Sequence, residues 1–214
     1  MLSIEYLGHS AFLLRSEEGR FVTDPFDEIG YEMPKVKAQF VTVSHGHYDH
    51  CNAMAVQGVE EVFTEAYSYL GGVVEGFSTW HDDKGGAIRG ANTLFKLRLG
   101  GVTLCHMGDI GELPTPEILQ FLHGVDVLLI PVGGVYTINA VGAKAYVDAV
   151  KPKIVIPMHY YDEESTIDIH PVEEFLSLFP KENVSLYEGK YQIEEEELQS
   201  GAAEAQIVVL TRRK

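Results

Sequence analysis

Four apolar runs in this chain are each followed closely by a histidine or an aspartate, and no other feature restricts the fold as tightly. His45 stands past the run from Phe40 to Val43, His81 past Val73 to Trp80, Asp109 past Val102 to His106, and His159 past Ile154 to Met158. Short apolar runs bounded by turn residues read as buried strands. Residues that end four strands can share a task only if those strands finish at one rim of a sheet assembly, where loops carry chemistry on a rigid scaffold. The fold therefore has to bring distant parts of the chain to one edge.

The loop after the first run, Thr42 to Asn52, reads T-V-S-H-G-H-Y-D-H-C-N and is dense in metal-ligand side chains: His45, His47, Asp49 and His50. If the loop leaves its strand extended, His45 and His47 point the same way, because side chains alternate with period two. They can then share one ion. Asp49 and His50 follow where the chain must turn, so they can aim at a second point a few Å away. Two ions so placed need a bridging group, and a carboxylate with two oxygens suits the task; Asp109, in the sequence H-M-G-D, is the candidate.

The rest of the chain reads as β structure followed by alternating helix and strand. Leu2 to Leu7, Ala11 to Arg15 and Phe21 to Thr23 form a meander, and Asp27 to Lys37 an irregular loop. Ala53 to Val56 reads as a short helix and Val62 to Thr64 as a strand. A polar loop from Asp82 to Asn92 precedes a hairpin of Thr93 to Leu99 and Val102 to His106, turned by Gly100-Gly101. Thr115 as N-cap with Pro116 behind it starts a helix. Val125 to Pro131 and Lys153 to Met158 are apolar enough to be buried on both faces, with a helix from Asn139 to Val150 between them. A helix from Pro171 to Phe179 and strands from Val184 to Tyr187 and Ala205 to Leu210 complete the reading, and the acidic run Glu194 to Glu197 reads as a solvated turn or edge. Cys51 reads as a small buried side chain at a helix start, Cys105 as core, His123 and His170 as structural or surface residues, and Tyr160 and Tyr161 as packing beside His159. Gly133-Gly134 reads as a tight turn, since it lacks the lysine and spacing of a phosphate loop.

Composition narrows the function classes. A formal net charge of −16 opposes nucleic-acid and anionic-membrane binding, both of which call for basic surface. The longest basic cluster is Arg212-Arg213-Lys214. There is no apolar run of the ~20 residues a membrane span needs, and Met1 leads straight into a strand, so a cytoplasmic location is expected. Two cysteines in 214 residues do not make a disulfide framework.

The motif H-x-H-x-D-H after a strand, with a later His, a Gly-Asp and a final strand-end His, resembles the metallo-β-lactamase superfamily of metal-dependent hydrolases. Leu7-Gly8-His9-Ser10-Ala11-Phe12, Thr23-Asp24-Pro25-Phe26, His106-Met107-Gly108-Asp109, Pro131-Val132-Gly133-Gly134 and Ile156-Pro157-Met158-His159-Tyr160 resemble its short branch related to ascorbate-6-phosphate lactonase-like proteins. The resemblance implies an α+β fold, a four-layer αββα sandwich in a single domain with pseudo-halves of about 1–110 and 111–214. It implies a first metal site of His45, His47 and His81, a second of Asp49, His50 and His159, and Asp109 between them. Asp24 and His9 would orient the ligands from behind. His106 is the alternative third histidine of the first site; His81 is preferred because His106 falls inside a strand.

Two divalent ions, less the charges of Asp49 and Asp109, leave about two positive charges, which bring the pKa of bound water towards ~7. A bridging hydroxide would then attack an ester, lactone or phosphoester, with Asp49 as the catalytic group that orients it and takes its proton. Zinc suits a His-rich site, although manganese and iron accept the same ligands. Exposed charges beyond ~8 Å are screened, so the local positive field favours a small anionic or polar substrate, with Arg89 and Tyr136 as candidates to bind it. A non-hydrolytic metalloprotein, either a di-iron redox module or a metal sensor, is the second reading, and a nuclease a poorer third.

Overall fold

The computed structural model describes residues 1–199 and 204–213. β1 (Leu2–Gly8), β2 (Ala11–Ser16) and β3 (Gly19–Thr23) form the expected antiparallel meander. After β4 (Val36–Lys37) comes β5 (Phe40–Thr42), which joins β3 in parallel. β6 (Val56–Gln57) pairs only with β4, and β7 (Glu61–Phe63) adds in parallel to β5. The chain then crosses to a second sheet through β8 (Ser68–Tyr69), β9 (Val74–Trp80), β10 (Ala91–Leu99) and β11 (Val102–His106), with β10 and β11 as the expected hairpin. β12 (Val127–Pro131) and β13 (Ile154–Met158) follow in parallel. β14 (Val184–Tyr187) and β16 (Gln206–Leu210) extend that sheet, whereas β15 (Lys190–Ile193) returns to the first and pairs with β1. The strand orders are β15-β1-β2-β3-β5-β7 and β14-β16-β13-β12-β11-β10-β9-β8. The chain changes sheet between Phe63 and Ser68.

Period-two alternation decides which side chains meet. Leu2, Ile4 and Tyr6 of β1, with Phe12, Leu14 and Phe21, face Val127, Leu129, Ile154 and Ile156 of the other sheet, and together they form the core between the sheets. The opposite face of β12 and β13, Leu128, Ile130 and Val155, packs beneath α1 (Pro116–Phe121), α2 (Ala140–Val150) and α3 (Glu173–Leu176) through Ile118, Ala143, Tyr146 and Phe175. Fully covered faces explain why both strands are apolar without a break. On the outer face of the first sheet, Leu7, Leu13 and Val22 pack under Phe26, Ile29, Tyr31, Val36 and Ile167. That layer is built from irregular chain and one 3-10 turn, Ala53–Ala55. The α+β sandwich of layers is thus present, with its helices concentrated on the second sheet.

Several local expectations change. The helix expected from Pro171 to Phe179 is a single α turn, α3, and the acidic run at Glu194 opens into α4 (Glu195–Gln199). Thr115 does cap α1, accepting from the Ile118 amide at 3.3 Å, and Asn139 caps α2 in the same way. Cys51 is exposed rather than buried, because the turn that follows it, Ala53–Ala55, buries none of its residues; Cys105 is buried, and both thiols are free. Tyr160 packs against Tyr6 in the core, whereas Tyr161 is half exposed. Among the described residues no helix is long and apolar enough to cross a membrane.

Glu5, in the middle of β1, is a buried carboxylate ringed by Arg15, Arg213 and Lys190. Burial alone would raise its pKa, but the Arg15 hydrogen bond and the three positive charges outweigh burial and hold it below its ordinary value of 4.5. A lowered folded-state pKa gives stability that is present above 4.5 and disappears as the pH falls through the folded value. Glu5→Gln is therefore expected to lower the melting temperature by a few degrees at pH 7. The gap to the unmodified protein should narrow as the pH falls below 4.5, as thermal melts across pH 3 to 8 would register.

Candidate metal centre

The site starts from a bend at Asp24, just past β3, where a non-glycine residue adopts φ 37°. Its buried carboxylate accepts hydrogen bonds from the Ser44 amide at 2.8 Å, from the Ser44 hydroxyl, and from His50 Nδ1 at 2.9 Å. The Ser44 oxygen in turn lies 2.9 Å from His45 Nδ1. One carboxylate thereby fixes two imidazoles through their Nδ1 edges, and the buried Nε2 atoms of His45 and His50 are left without a hydrogen-bond partner. Orientation through the distal nitrogen is what metal-binding imidazoles generally show.

Asp109 reaches the centre from the turn after β11. Gly108 takes φ 53°, and a Cβ there would collide with Asn92 Oδ1 and Ser44, so glycine is required. Asn92 Oδ1 accepts from the Asp109 amide at 2.9 Å, while its Nδ2 donates to Met107 O and Thr79 Oγ1. His159 follows β13 at φ 51° and is tied by its amide to His9 O at 2.9 Å, with His9 itself at φ 53°. Three strained non-glycine residues in one site, each tied by backbone hydrogen bonds, is a pattern characteristic of functional centres.

Among the described residues the side chains gather into two groups around Asp109, and a third, overlapping set of Asp24, His45 and His50 lies behind them. Ligand atoms of His45, His47 and His81 lie within 4.8 Å of one another, as do those of His9, Asp49, His50 and His159. Asp109 Oδ2 stands between them, 3.3 Å from His81 Nε2 and 4.0 Å from His45 Nε2 on one side, 3.2 Å from His50 Nε2 and 3.1 Å from His159 Nε2 on the other. The other oxygen, Oδ1, is buried with no hydrogen-bond partner. His9 Nε2 is 3.2 Å from Asp49 Oδ2, so it supports that carboxylate and also stands close enough to join the second group.

Electrostatics favour a cation here. Burial lowers the pKa of His45 to about 3 and that of His9 to about 4, and lowers that of His47 too. Neutral imidazoles keep a lone pair for an ion. Burial would raise the pKa of Asp109, but the charges of His159 and His50 outweigh it and hold the carboxylate ionised. His50 is pushed the other way, above its ordinary value, because Asp109 and Asp24 overcome its burial. Buried carboxylates facing inward-pointing nitrogens with no hydrogen-bond partner make a donor set that suits divalent cations.

His106 is accounted for differently. Its buried ring donates from Nε2 to Ser10 O at 2.8 Å and accepts at Nδ1 from the Gly108 amide at 3.1 Å, so neither nitrogen is available to an ion. It ties the Gly108 turn to the first sheet, and His81 stands in the group with His45 and His47.

Above the two groups opens a cavity of about 560 Å³ whose wall includes Tyr48, Asp49, Arg89, Tyr136, Thr166, Ile167 and Asp168. Arg89 is carried there by a loop organised on Asp82, whose carboxylate accepts from the amides of Lys84, Gly86, Ile88 and Arg89 at 2.7–2.9 Å. The Arg89 guanidinium donates to Val135 O at 3.2 Å and lies 5.5 Å from the Tyr136 ring centroid. Val135, β-branched and at φ 56°, is a strained residue directly before Tyr136 of the wall. Sequence reading did not find Ser44, Asn92, Asp82 or Asp168; the one local signal was the placement of Ser44 directly before His45.

The geometry can be set beside known proteins. The model of the β-lactamase superfamily domain matches residues 3–159. A UPF0173 metal-dependent hydrolase of Carboxydothermus hydrogenoformans is 31% identical over 191 residues, covering 74% of this chain and 84% of its own. One from Archaeoglobus fulgidus is 31% identical over 193 residues, with 74% and 83% covered. A crystal structure of a candidate zinc-dependent hydrolase of the metallo-β-lactamase superfamily from Thermotoga maritima superposes over 100% of both chains, with TM-score 0.81 and 33% identity.

Proposed function

This chain belongs to the β-lactamase superfamily domain family, among its metal-dependent hydrolases, and from that premise we propose that it holds two divalent ions and hydrolyses an ester, lactone or phosphoester of a small anionic molecule. The observation that carries the reading is the position of Asp109 Oδ2, within 3.1–4.0 Å of four histidine Nε2 atoms drawn from both ligand groups. His45, His47 and His81 would hold one ion, Asp49, His50 and His159 the other, and Asp109 both. Ions bound there supply positive charge that polarises a substrate oxygen and brings the pKa of a water near ~7. Zinc suits the ligand set best.

The chain supplies the rest. Asp49 is kept ionised, since the His9 hydrogen bond and the charge of His50 outweigh its burial, so its carboxylate can take a proton from the attacking water. His9 holds that carboxylate at Oδ2. Arg89 fixes an anionic group of the substrate, and the Tyr136 hydroxyl donates to the leaving oxygen. The lactone option rests on the phrases around His9, Asp24 and His159.

Metal analysis of protein purified without added metal, followed by a panel of lactones, phosphodiesters and thioesters, tests the reading. A redox-active iron pair with no hydrolysis anywhere on the panel would sink it. Arg89→Ala is expected to raise KM for an anionic substrate about tenfold, ~1.4 kcal/mol, with a smaller effect on kcat and little on a neutral analogue. Equal losses on both substrates would remove Arg89 from this role.

A further inference from the structure

A second cavity, of about 400 Å³, lies away from the metal centre and is walled by Glu5, Arg15, Gly189, Lys190, Thr211, Arg212 and Arg213. We propose that it binds a small phosphorylated molecule and that occupancy alters the wall of the metal-centre cavity through Arg212. Four cations meet one carboxylate in this wall, in a chain whose formal net charge is −16. Asp162 and Glu164 neutralise Arg212 from outside the cavity, and one positive charge still remains in excess.

The donors suit an oxyanion. Arg15 and Arg213 each engage Glu5 through Nη1, and among the described residues neither guanidinium meets a second carboxylate. A guanidinium offers five N–H donors in a planar fork that matches phosphate oxygens. Both side chains are partly exposed, 30% and 41%, and Lys190 Nζ stands 3.9 Å from the same Glu5 with its side chain 60% exposed. Glu5 holds the cations together at the sheet surface, leaving their remaining donors for a ligand.

Arg212 connects the cavity to the metal centre. Its Nε donates to Asp162 at 3.1 Å, its Nη2 to Glu164, and its Cζ lies over the Tyr31 ring, 3.8 Å from the centroid. The segment it holds continues into Thr166, Ile167 and Asp168, which line the other cavity. Gly30 seats this segment against the first sheet, because a Cβ there would collide with Glu164 O, and the Thr166 amide donates to Ile29 O at 2.7 Å. A phosphate in the second cavity competes for the charge of Arg212 and loosens its hold on Asp162 and Glu164.

Titration of the metal-loaded protein with pyrophosphate in a calorimeter, paired with hydrogen exchange of residues 165–168, tests both parts. Saturable binding below about 1 mM is expected, weakened about tenfold by Arg213→Gln and about threefold by Lys190→Gln. The exposed Lys190 can be changed without disturbing the fold, so its variant serves where Arg213→Gln fails to fold. Unchanged affinity in the folded variants would place the anion at the metal centre and overturn the site, as would no saturation by about 10 mM. The Thr166 amide should exchange at least about twofold faster with pyrophosphate bound. No change there would overturn the coupling.

Discussion

Replacing Asp109 with asparagine is expected to cut turnover by about a thousandfold or more, ~4 kcal/mol of transition-state stabilisation, and to leave fewer than two metal ions per chain. The expectation follows from one atom. Asp109 Oδ2 faces four imidazole nitrogens at 3.1–4.0 Å from both ligand groups, so no other carboxylate oxygen in the site can serve the two at once. An amide brings an N–H group or a neutral oxygen to that point and removes the charge that offsets the ions. The tie from the Asp109 amide to Asn92 is made by the backbone and survives the change, so loss of function should come without loss of fold. Asp49→Ala provides the contrast: it should cost turnover more than it costs metal in the His45–His47–His81 group. Elemental analysis beside kcat separates the two variants, and an Asp109→Asn protein with both metals and full rate would remove the bridge.

What could be read in advance was local chemistry in a period-two frame. His45 and His47 share a side because alternate residues of an extended segment do, and the strand-end positions of His81, Asp109 and His159 follow from apolar runs that stop abruptly. Of the supports, Asp24 and His9 came only through the resemblance, and Ser44 and Asn92 were not legible. Asp24 and Ser44 meet across two parallel strands 20 residues apart in the chain, and Asn92 meets the Asp109 amide 17 residues on; a serine or asparagine inside a polar loop carries no mark of such a partner. Strand β15 escaped notice because its pairing with β1 spans nearly the whole chain. Cys51 reads as buried because a free cysteine usually is, whereas it is exposed, as is Met54 of the turn that follows. The outer layer of the first sheet was equally hidden, since its cover comes from irregular segments whose packing no periodicity reports.

The second large effect is expected at Asp24, which stands behind the two ligand groups around Asp109 and holds His50 and Ser44. Asp24→Ala should weaken metal binding 10- to 100-fold and lower stability by about 2–4 kcal/mol. Three donors depend on its fully buried carboxylate, the Ser44 amide, the Ser44 hydroxyl and His50 Nδ1, and each buried donor left unpaired costs about 1–3 kcal/mol, partly recovered by water entering the space. The ordered loss matters more than its size. Without the carboxylate, His50 can rotate and Ser44 no longer fixes His45, so one substitution loosens an imidazole in each of the two ligand groups. Alanine also suits φ 37° no better than aspartate, so no relief of backbone strain offsets the loss. Asp24→Asn keeps one acceptor and should fall between the two, with competition against a chromophoric chelator reading metal affinity and thermal melts of the metal-free protein reading stability. If Asp24→Ala lowers the melting temperature yet binds both ions with undiminished affinity, the carboxylate supports the strands alone, and the orientation of His45 and His50 must come from the packing of their rings.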